Sequence, residues 1–328
     1  MKMNKKVLSV ILLFLGILGI LFISVYLYIT DSHNKDQKLN ISVIVYGNNG
    51  ERWATLKNGI EQGAADYGAG VNFITMTTED NANEQKKLLK REIDNGADGI
   101  ILAVTDSVAM ANIVEDISSK LPIVMVETNV DNVNGVNYIS ADNYSMGLNL
   151  GRSVILNNDG KSKVAVIMEN HQRSSVQERF DGFMDSLKYS DYVIDLWERD
   201  ESDENYKDDE DLLKFIQHKW NSNGADIIVA LDDASLEAVV DASQTYNIMA
   251  DVYGVGSTRK IIHYLDYGVI QSIVFQNEFN MGFLSVQALF RTNEDQEERL
   301  MTEIEFRTIN RETMYLPKNQ RLVFPIIQ

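Results

Sequence analysis

From residue 41 onward, short apolar runs alternate with stretches in which apolar residues recur every three or four positions. The runs at 41–46, 71–76, 99–104 and 123–126 predict strands. Between them, Leu56, Ile60 and Ala64 predict a helix over 52–67. Leu88, Leu89 and Ile93 predict one over 83–95, and Met110, Ile113, Val114 and Ile117 one over 107–118. After a run at 138–140 and a helix from Tyr144, the cycle restarts. Strands are predicted at 164–168, 192–197, 225–231, 252–255 and 270–275 with helices between them. A helix near 278–290 and closing strands at 303–309 and 321–325 end the pattern. Apolar strands joined to helices by short connections imply a parallel sheet covered on both faces.

The pattern is also duplicated. NGADGIILAVTDS at 95–107 returns as NGADIIVALDDAS at 223–235, and ISVIVYGNN at 41–49 is echoed by KVAVIMENH at 163–171. In both longer copies Asn-Gly ends a helix, a short apolar run follows, and an acidic residue stands where the strand stops. A chain of 328 residues exceeds the size of one hydrophobic core, so two lobes of one α/β design are expected. Small molecules bind beyond the carboxyl ends of such strands, which directs attention to a crevice between the copies.

The segment 7–29 carries no charge, and at 1.5 Å per residue it is long enough to cross a hydrocarbon core of about 30 Å. Lys2, Lys5 and Lys6 precede it, which predicts a cytoplasmic amino terminus and an extracytoplasmic remainder. The run is longer than a signal-peptide core and lacks a small-x-small cleavage site, so an uncleaved anchor at 1–30 and a polar stalk at 31–40 are expected. A formal charge of −18 argues against nucleic-acid binding, and the absence of cysteine removes disulfides, thiolate catalysis and thiolate-bound zinc.

No catalytic constellation emerges, and no enzyme activity, cofactor or metal is expected. His33, His171, His218 and His263 are scattered. The acidic run at 200–211 lacks the glycine and terminal glutamate of a calcium loop and is read as a solvated helix start. Gly254-Val255-Gly256 is too short for a dinucleotide fingerprint. What recurs is a set of hydrogen-bonding residues at strand ends: Asn48, Asn49, Asp106, Asp142, Asn143, Asn170, Asp232, Asp233 and Gln276. Short carboxylates and amides suit vicinal hydroxyls, and an aromatic ring covers the apolar face of a sugar. Trp53 is the candidate lid, and Arg52 beside it is a candidate contact. Asp and Asn also cap helices, which competes with ligand contact at Ser107, Asp142 and Asp233.

The stretches GIILAVTDS, ISADNYSMG, QERFDGF, IIVALDDAS and QSIVFQNEFNMG make the chain resemble the type I periplasmic-binding-protein-like family, which includes ribose- and galactose-binding proteins. The resemblance implies two doubly wound lobes joined by three hinge crossings and closing on a small ligand, usually a sugar. It divides the chain into 41–142 plus 277–306 for lobe 1 and 143–276 plus 307–328 for lobe 2. Ligand contacts are implied at Asp106, Asn143, Asp232 and Gln276, with an aromatic lid at Trp53. The family's arginine near QERFDGF is replaced by Gln177, with Arg173 or Arg179 as substitutes. Val-Gly-Ser at 255–257 stands where relatives carry an aspartate. The expected function is a membrane-tethered solute receptor for a sugar-like ligand, signalling to a sensor histidine kinase or serving an ABC permease as an importer's binding component. A lactose-repressor-like regulator would need a helix-turn-helix where this chain carries its apolar span.

Overall fold

The computed structural model describes residues 17–24, 39–47, 52–78, 81–130, 133, 135–199, 209–291 and 301–323. Two six-stranded sheets form the framework. The first contains β1 (Asn40–Val45), β2 (Gly70–Thr75), β3 (Gly99–Leu102), β4 (Ile123–Val126), β5 (Asn137–Ser140) and β11 (Met301–Glu303). The second contains β6 (Lys163–Ile167), β7 (Val193–Trp197), β8 (Ile227–Ala230), β9 (Asp251–Val255), β10 (Ile270–Gln276) and β12 (Phe306–Asn310). Their orders, β11-β5-β4-β3-β1-β2 and β12-β10-β9-β8-β6-β7, match position by position. All pairings are parallel except β12 against β10. Buried strands such as β3 and β8 are apolar on both faces, as sheets covered by helices on both sides require.

The duplicated NGAD motif has a structural reason. In the first copy Gly96 adopts φ +85° after the helix, and Asp98 accepts the backbone N–H of Asn40 at 2.8 Å. In the second, Gly224 adopts φ +57° and Asp226 accepts that of Lys163 at 2.7 Å. Each aspartate thus pins the start of its lobe's central strand in register with the next one.

The helices, numbered in chain order, are α1 (Ala54–Tyr67), α2 (Ala82–Asp94), α3 (Ala111–Ser118), α4 (Asn143–Asn157), α5 (Ser174–Leu187), α6 (Asp209–Asn223), α7 (Asp233–Tyr246), α8 (Arg259–Asp266), α9 (Glu278–Phe290) and α10 (Pro317–Val323). The chain passes between sheets three times. Helix α4 follows β5 of the first sheet yet packs on β9, β10 and β12 of the second, and α9 follows β10 yet packs on β3, β4 and β5. The strand expected at 303–309 is split at Ile304 and Glu305, where the chain makes its third passage. These passages are bonded to one another: Ile304 N–H to Ser140 O at 3.0 Å and Asn277 N–H to Glu305 O at 2.9 Å. Residues 321–323 of the strand expected at 321–325 belong instead to α10, which has Pro317 at its first position, where a missing N–H costs nothing, and 324–325 lie outside the described residues.

Each lobe buries one close helix pair, α1 with α9 and α4 with α5. Glycine makes the approach possible. A Cβ on Gly59 would lie 2.0 Å from Phe279 O, and one on Gly147 would lie 2.0 Å from Arg179 O. Gly63 and Gly151, one turn further on, and the partner helices' Gly282 and Gly182 continue each seam. Among the described residues no helix is long and apolar enough to cross a membrane; 17–24 is helical, and the rest of the expected span at 7–29 lies outside the described residues. So does most of the acidic run at 200–211.

Because the clash at either glycine is with backbone, Gly59→Ala and Gly147→Ala are each expected to lower unfolding free energy by about 1–3 kcal/mol or more. Urea titration measures this, and unchanged midpoints would show that the seams can part freely.

Candidate functional site

A cavity of about 180 Å³ lies between the lobes. Lobe 1 contributes the turn from β1 to α1, with Tyr46, Gly47, Arg52 and Trp53. Lobe 2 contributes Arg173, the start of α6, one face of α7 and the N-cap of α8. Helix α7 begins at the cavity because the Asp232 carboxylate accepts the Ser235 N–H at 2.8 Å, and α8 because the Thr258 hydroxyl accepts that of Ile261 at 3.3 Å.

Arg52 occupies the centre. Its guanidinium lies over the Trp53 ring, 3.7 Å from the centroid, and bonds both oxygens of Glu127 at 2.9 Å. Its Nε reaches across to Asp233 of the other lobe at 2.7 Å, and Glu278 stands 3.8 Å away. Glu127, itself 1% exposed, accepts further bonds from the Tyr46 hydroxyl at 2.8 Å and from Arg179 of lobe 2 at 3.2 Å. It follows β4 with φ +61°, a left-handed conformation that costs a non-glycine residue roughly 1–2 kcal/mol, so its surroundings hold it there. Its carbonyl accepts the Tyr138 hydroxyl at 2.7 Å and that of Ser140 at 3.2 Å.

Further bonds close the mouth of the cleft. Ser107 N–H donates to Gln172 O at 3.0 Å, Ser174 N–H to the Ser107 hydroxyl at 2.9 Å, and Asn129 N–H to the Ser174 hydroxyl at 2.9 Å. Arg173 lies over the Tyr46 ring at 3.6 Å. The lobes are therefore in contact, joined by ion pairs and stacked cations as well as by the three chain passages.

Burial and crowding shift the acids in opposite directions. Burial raises the Glu127 carboxyl, but Arg52 and Arg179 outweigh it and hold the group below the usual carboxylate range. Glu278 is pushed up to about 8, first by burial and then by Asp233 and Glu127, against the pull of Arg52. Asp233 is raised by burial and by its neighbours Glu127 and Asp232, again against Arg52. One guanidinium is shared among more carboxylates than it can neutralise.

Four of the sequence-derived site residues line the cavity: Arg52, Trp53, Arg173 and Asp232. Trp53 is 1% exposed, its indole N–H donates to Tyr46 O at 2.9 Å, and Arg52 covers its face, so it is a wall of the closed cleft and not an open lid. Asp106 is not among the residues that line the cavity; its Oδ1 accepts the N–H groups of Val108 and Ala109 at 2.9 and 2.7 Å. Asp142 likewise caps α4 through the Ser145 N–H and hydroxyl. Asn143 is buried and orients Arg179, accepting its Nε–H at 2.9 Å. Gln276 lies at a chain passage, where its Oε1 stands 3.4 Å from the Ala141 N. Of the four residues expected around one cavity, Asp106, Asn143, Asp232 and Gln276, only Asp232 lines it. Asn49 and Asn48 lie outside the described residues.

Sequence reasoning missed Glu127, Tyr46, Glu237 and Glu278, and gave Asp233 only a place among strand-end residues. The signal for Glu127 was slight: an acid directly after the apolar run at 123–126. Among the described residues no group of three or more His, Cys, Asp or Glu is placed to hold a metal ion.

Two expectations follow from this geometry. Glu278 keeps its proton in the folded state up to about 8 but releases it near 4.5 when unfolded, so its contribution is present below 4.5 and lost as pH rises toward 8. Urea midpoints should fall across that window, and Glu278→Gln should flatten the fall; an equal slope in both proteins would contradict it. Glu127→Ala takes from the buried Arg179 its carboxylate partner and from Arg52 one of three, and is expected to cost about 3–5 kcal/mol. Equilibrium denaturation of the pair checks it.

Comparison with known proteins agrees with this architecture. A search of curated protein sequences finds no match. Among solved structures, GanP, a glucose-galactose binding protein from Geobacillus stearothermophilus, aligns at a TM-score of 0.75 and 20% identity, over 86% of this chain and 100% of that one. A carbohydrate transporter solute binding protein from Agrobacterium radiobacter, in complex with D-arabinose, gives 0.77 at 18% identity over 88% and 99%. The XylFII–LytSN complex contributes a chain at 0.71 and 18% identity over 84% and 98%. At such identities the likeness is one of fold. The family described as periplasmic binding protein domain matches residues 41–295, well over half of the sequence, and the chain belongs to that family.

Proposed function

We propose that this protein is a membrane-tethered extracytoplasmic receptor that closes two lobes on a sugar-like small molecule and reports its occupancy to a membrane protein, a sensor histidine kinase. The observation that carries the reading is the cavity between the lobes, walled by Trp53 and Tyr46 and lined by guanidinium groups from both lobes and by acids of lobe 2. Such groups suit a ligand dense in hydroxyls. The family and the sugar-binding descriptions of GanP and the arabinose complex support the ligand class. A ligand that prefers the closed arrangement shifts the population toward it, and the altered lobe surface is then available to a partner.

The apolar segment 7–29 and its preceding lysines support a tether in a cell membrane, with the lobes outside. A tether keeps a receptor beside membrane partners, which favours sensing. The solved association of XylFII with LytSN shows that a similarly folded chain has a protein partner. Service to an ABC permease is the second reading, favoured by the transporter description of the arabinose-bound protein.

A thermal-shift panel of pentoses, hexoses and inositols on the full chain in detergent tests the receptor reading. At a hundred times its Kd, a true ligand stabilises the folded state by about 2.7 kcal/mol. Trp53→Ala and Asp232→Ala should lose the response. A panel without any shift, or variants that respond like the parent, would refute the site. Retention in the membrane pellet after alkaline extraction is expected for the tether, and release into the supernatant would refute it.

A further inference from the structure

The cavity walls carry more carboxylates than guanidinium groups. Four carboxylates, Asp232, Asp233, Glu237 and Asp241, line it against two guanidinium groups, Arg52 and Arg173. Residues 233, 237 and 241 stand four apart on α7 and so share one face. Two of the four acids are matched: Asp233 pairs with Arg52 at 2.7 Å, and Asp241 pairs with Lys260. Asp232 and Glu237 have no ion pair among the described residues. Asp232 accepts the Ser235 N–H and the Asn170 amide, and Glu237 accepts the Thr258 hydroxyl. Burial raises the Glu237 carboxyl, and its neighbours Asp233 and Asp241 add to this, against the pull of the Thr258 hydroxyl and Lys260.

The place left for a ligand follows from what already fills the rest of the cleft. The group seated on the Trp53 face and against Asp233 is a guanidinium, held by ring stacking and a carboxylate together. The seat is thus built to hold a nitrogen cation. Arg52 cannot simply leave it, since its departure would strand the buried carboxylates of Glu127 and Asp233. A ligand must therefore lie beside Arg52, along the face of α7, where acceptors predominate. At about 180 Å³ the space is smaller than the roughly 300–1,000 Å³ of pockets for drug-sized molecules. It suits a single small ring.

We propose that the ligand is a monosaccharide bearing a protonated amine, with the ammonium group against Glu237 and Asp232 and the hydroxyls toward Arg173, Asp241 and Thr258. This rests on the receptor reading and narrows it to the amino-sugar class. A charged hydrogen bond inside a buried site contributes about 1.5–3 kcal/mol, which sets the expected selectivity at tenfold or more over the neutral parent.

Isothermal titration of the full chain in detergent at neutral pH, with glucosamine and galactosamine against glucose, galactose and the two N-acetylated forms, tests the proposal. The amines should bind at least about tenfold tighter than the neutral parents, N-acetylation should remove that gain, and Glu237→Gln should bring the ratio of amine to neutral affinity close to one. Glu61→Gln, an exposed change on α1 far from the cavity lining, should leave the ratio unaltered. Neutral sugars that bind as tightly as their amines, N-acetyl forms that bind as tightly, or a ratio indifferent to Glu237→Gln would each overturn the amino-sugar assignment and leave the sugar-receptor reading standing. No heat with any sugar would overturn both.

Discussion

Arg52 and Glu127 form the ion pair on which the closed arrangement depends. Each belongs to lobe 1, and each is also bound by a charge from beyond its own lobe: Arg52 by Asp233 and Glu127 by Arg179. Deeply buried charges are tolerated only when their partners are in place. Opening the cleft would separate both inter-lobe pairs together. Around the pair, Tyr46 bonds Glu127, Asn143 orients Arg179, and the left-handed backbone at Glu127 aims its carboxylate into the gap.

The duplicated framework explains how such a pair can be positioned. Matching sheet orders place β3 beside β1 and β8 beside β6, and the aspartates of the two NGAD motifs fix those registers. Glycine seams then bring α1 against α9 and α4 against α5 at distances that no larger residue permits. The first seam ends beside Arg52 and Glu278, and the second carries Arg179 and Asn143. Packing within each lobe is thereby transmitted to the charges between them, which links a pattern of small residues to the geometry of the cleft.

Much of this architecture was legible in the sequence because period and repetition survive without knowledge of contacts. Apolar runs marked the buried strands, and Asn-Gly marked the helix ends that lead into β3 and β8. The site was less legible. Asp106 and Asp142 stand at strand ends as a binding residue would, and both also cap the backbone that follows, so a string of letters does not distinguish a cap from a ligand contact. Gln276 went to a chain passage for a similar reason. Glu127 was overlooked because its role depends on a positive φ and on an arginine 52 positions away in sequence. The last predicted strand, at 321–325, gave way over 321–323 to the helix that starts at Pro317.

Charges contributed by the protein itself hold the lobes together. The chain has no cysteine, so Val108→Cys on lobe 1 and His171→Cys on lobe 2, both exposed at the mouth of the cleft, would carry the only spin labels. Pulsed electron spin resonance on the ligand-free protein should give one short distance, and the same pair combined with Glu127→Ala should shift toward longer ones. A broad, long distribution in the parent, or identical distributions with and without Glu127, would contradict it.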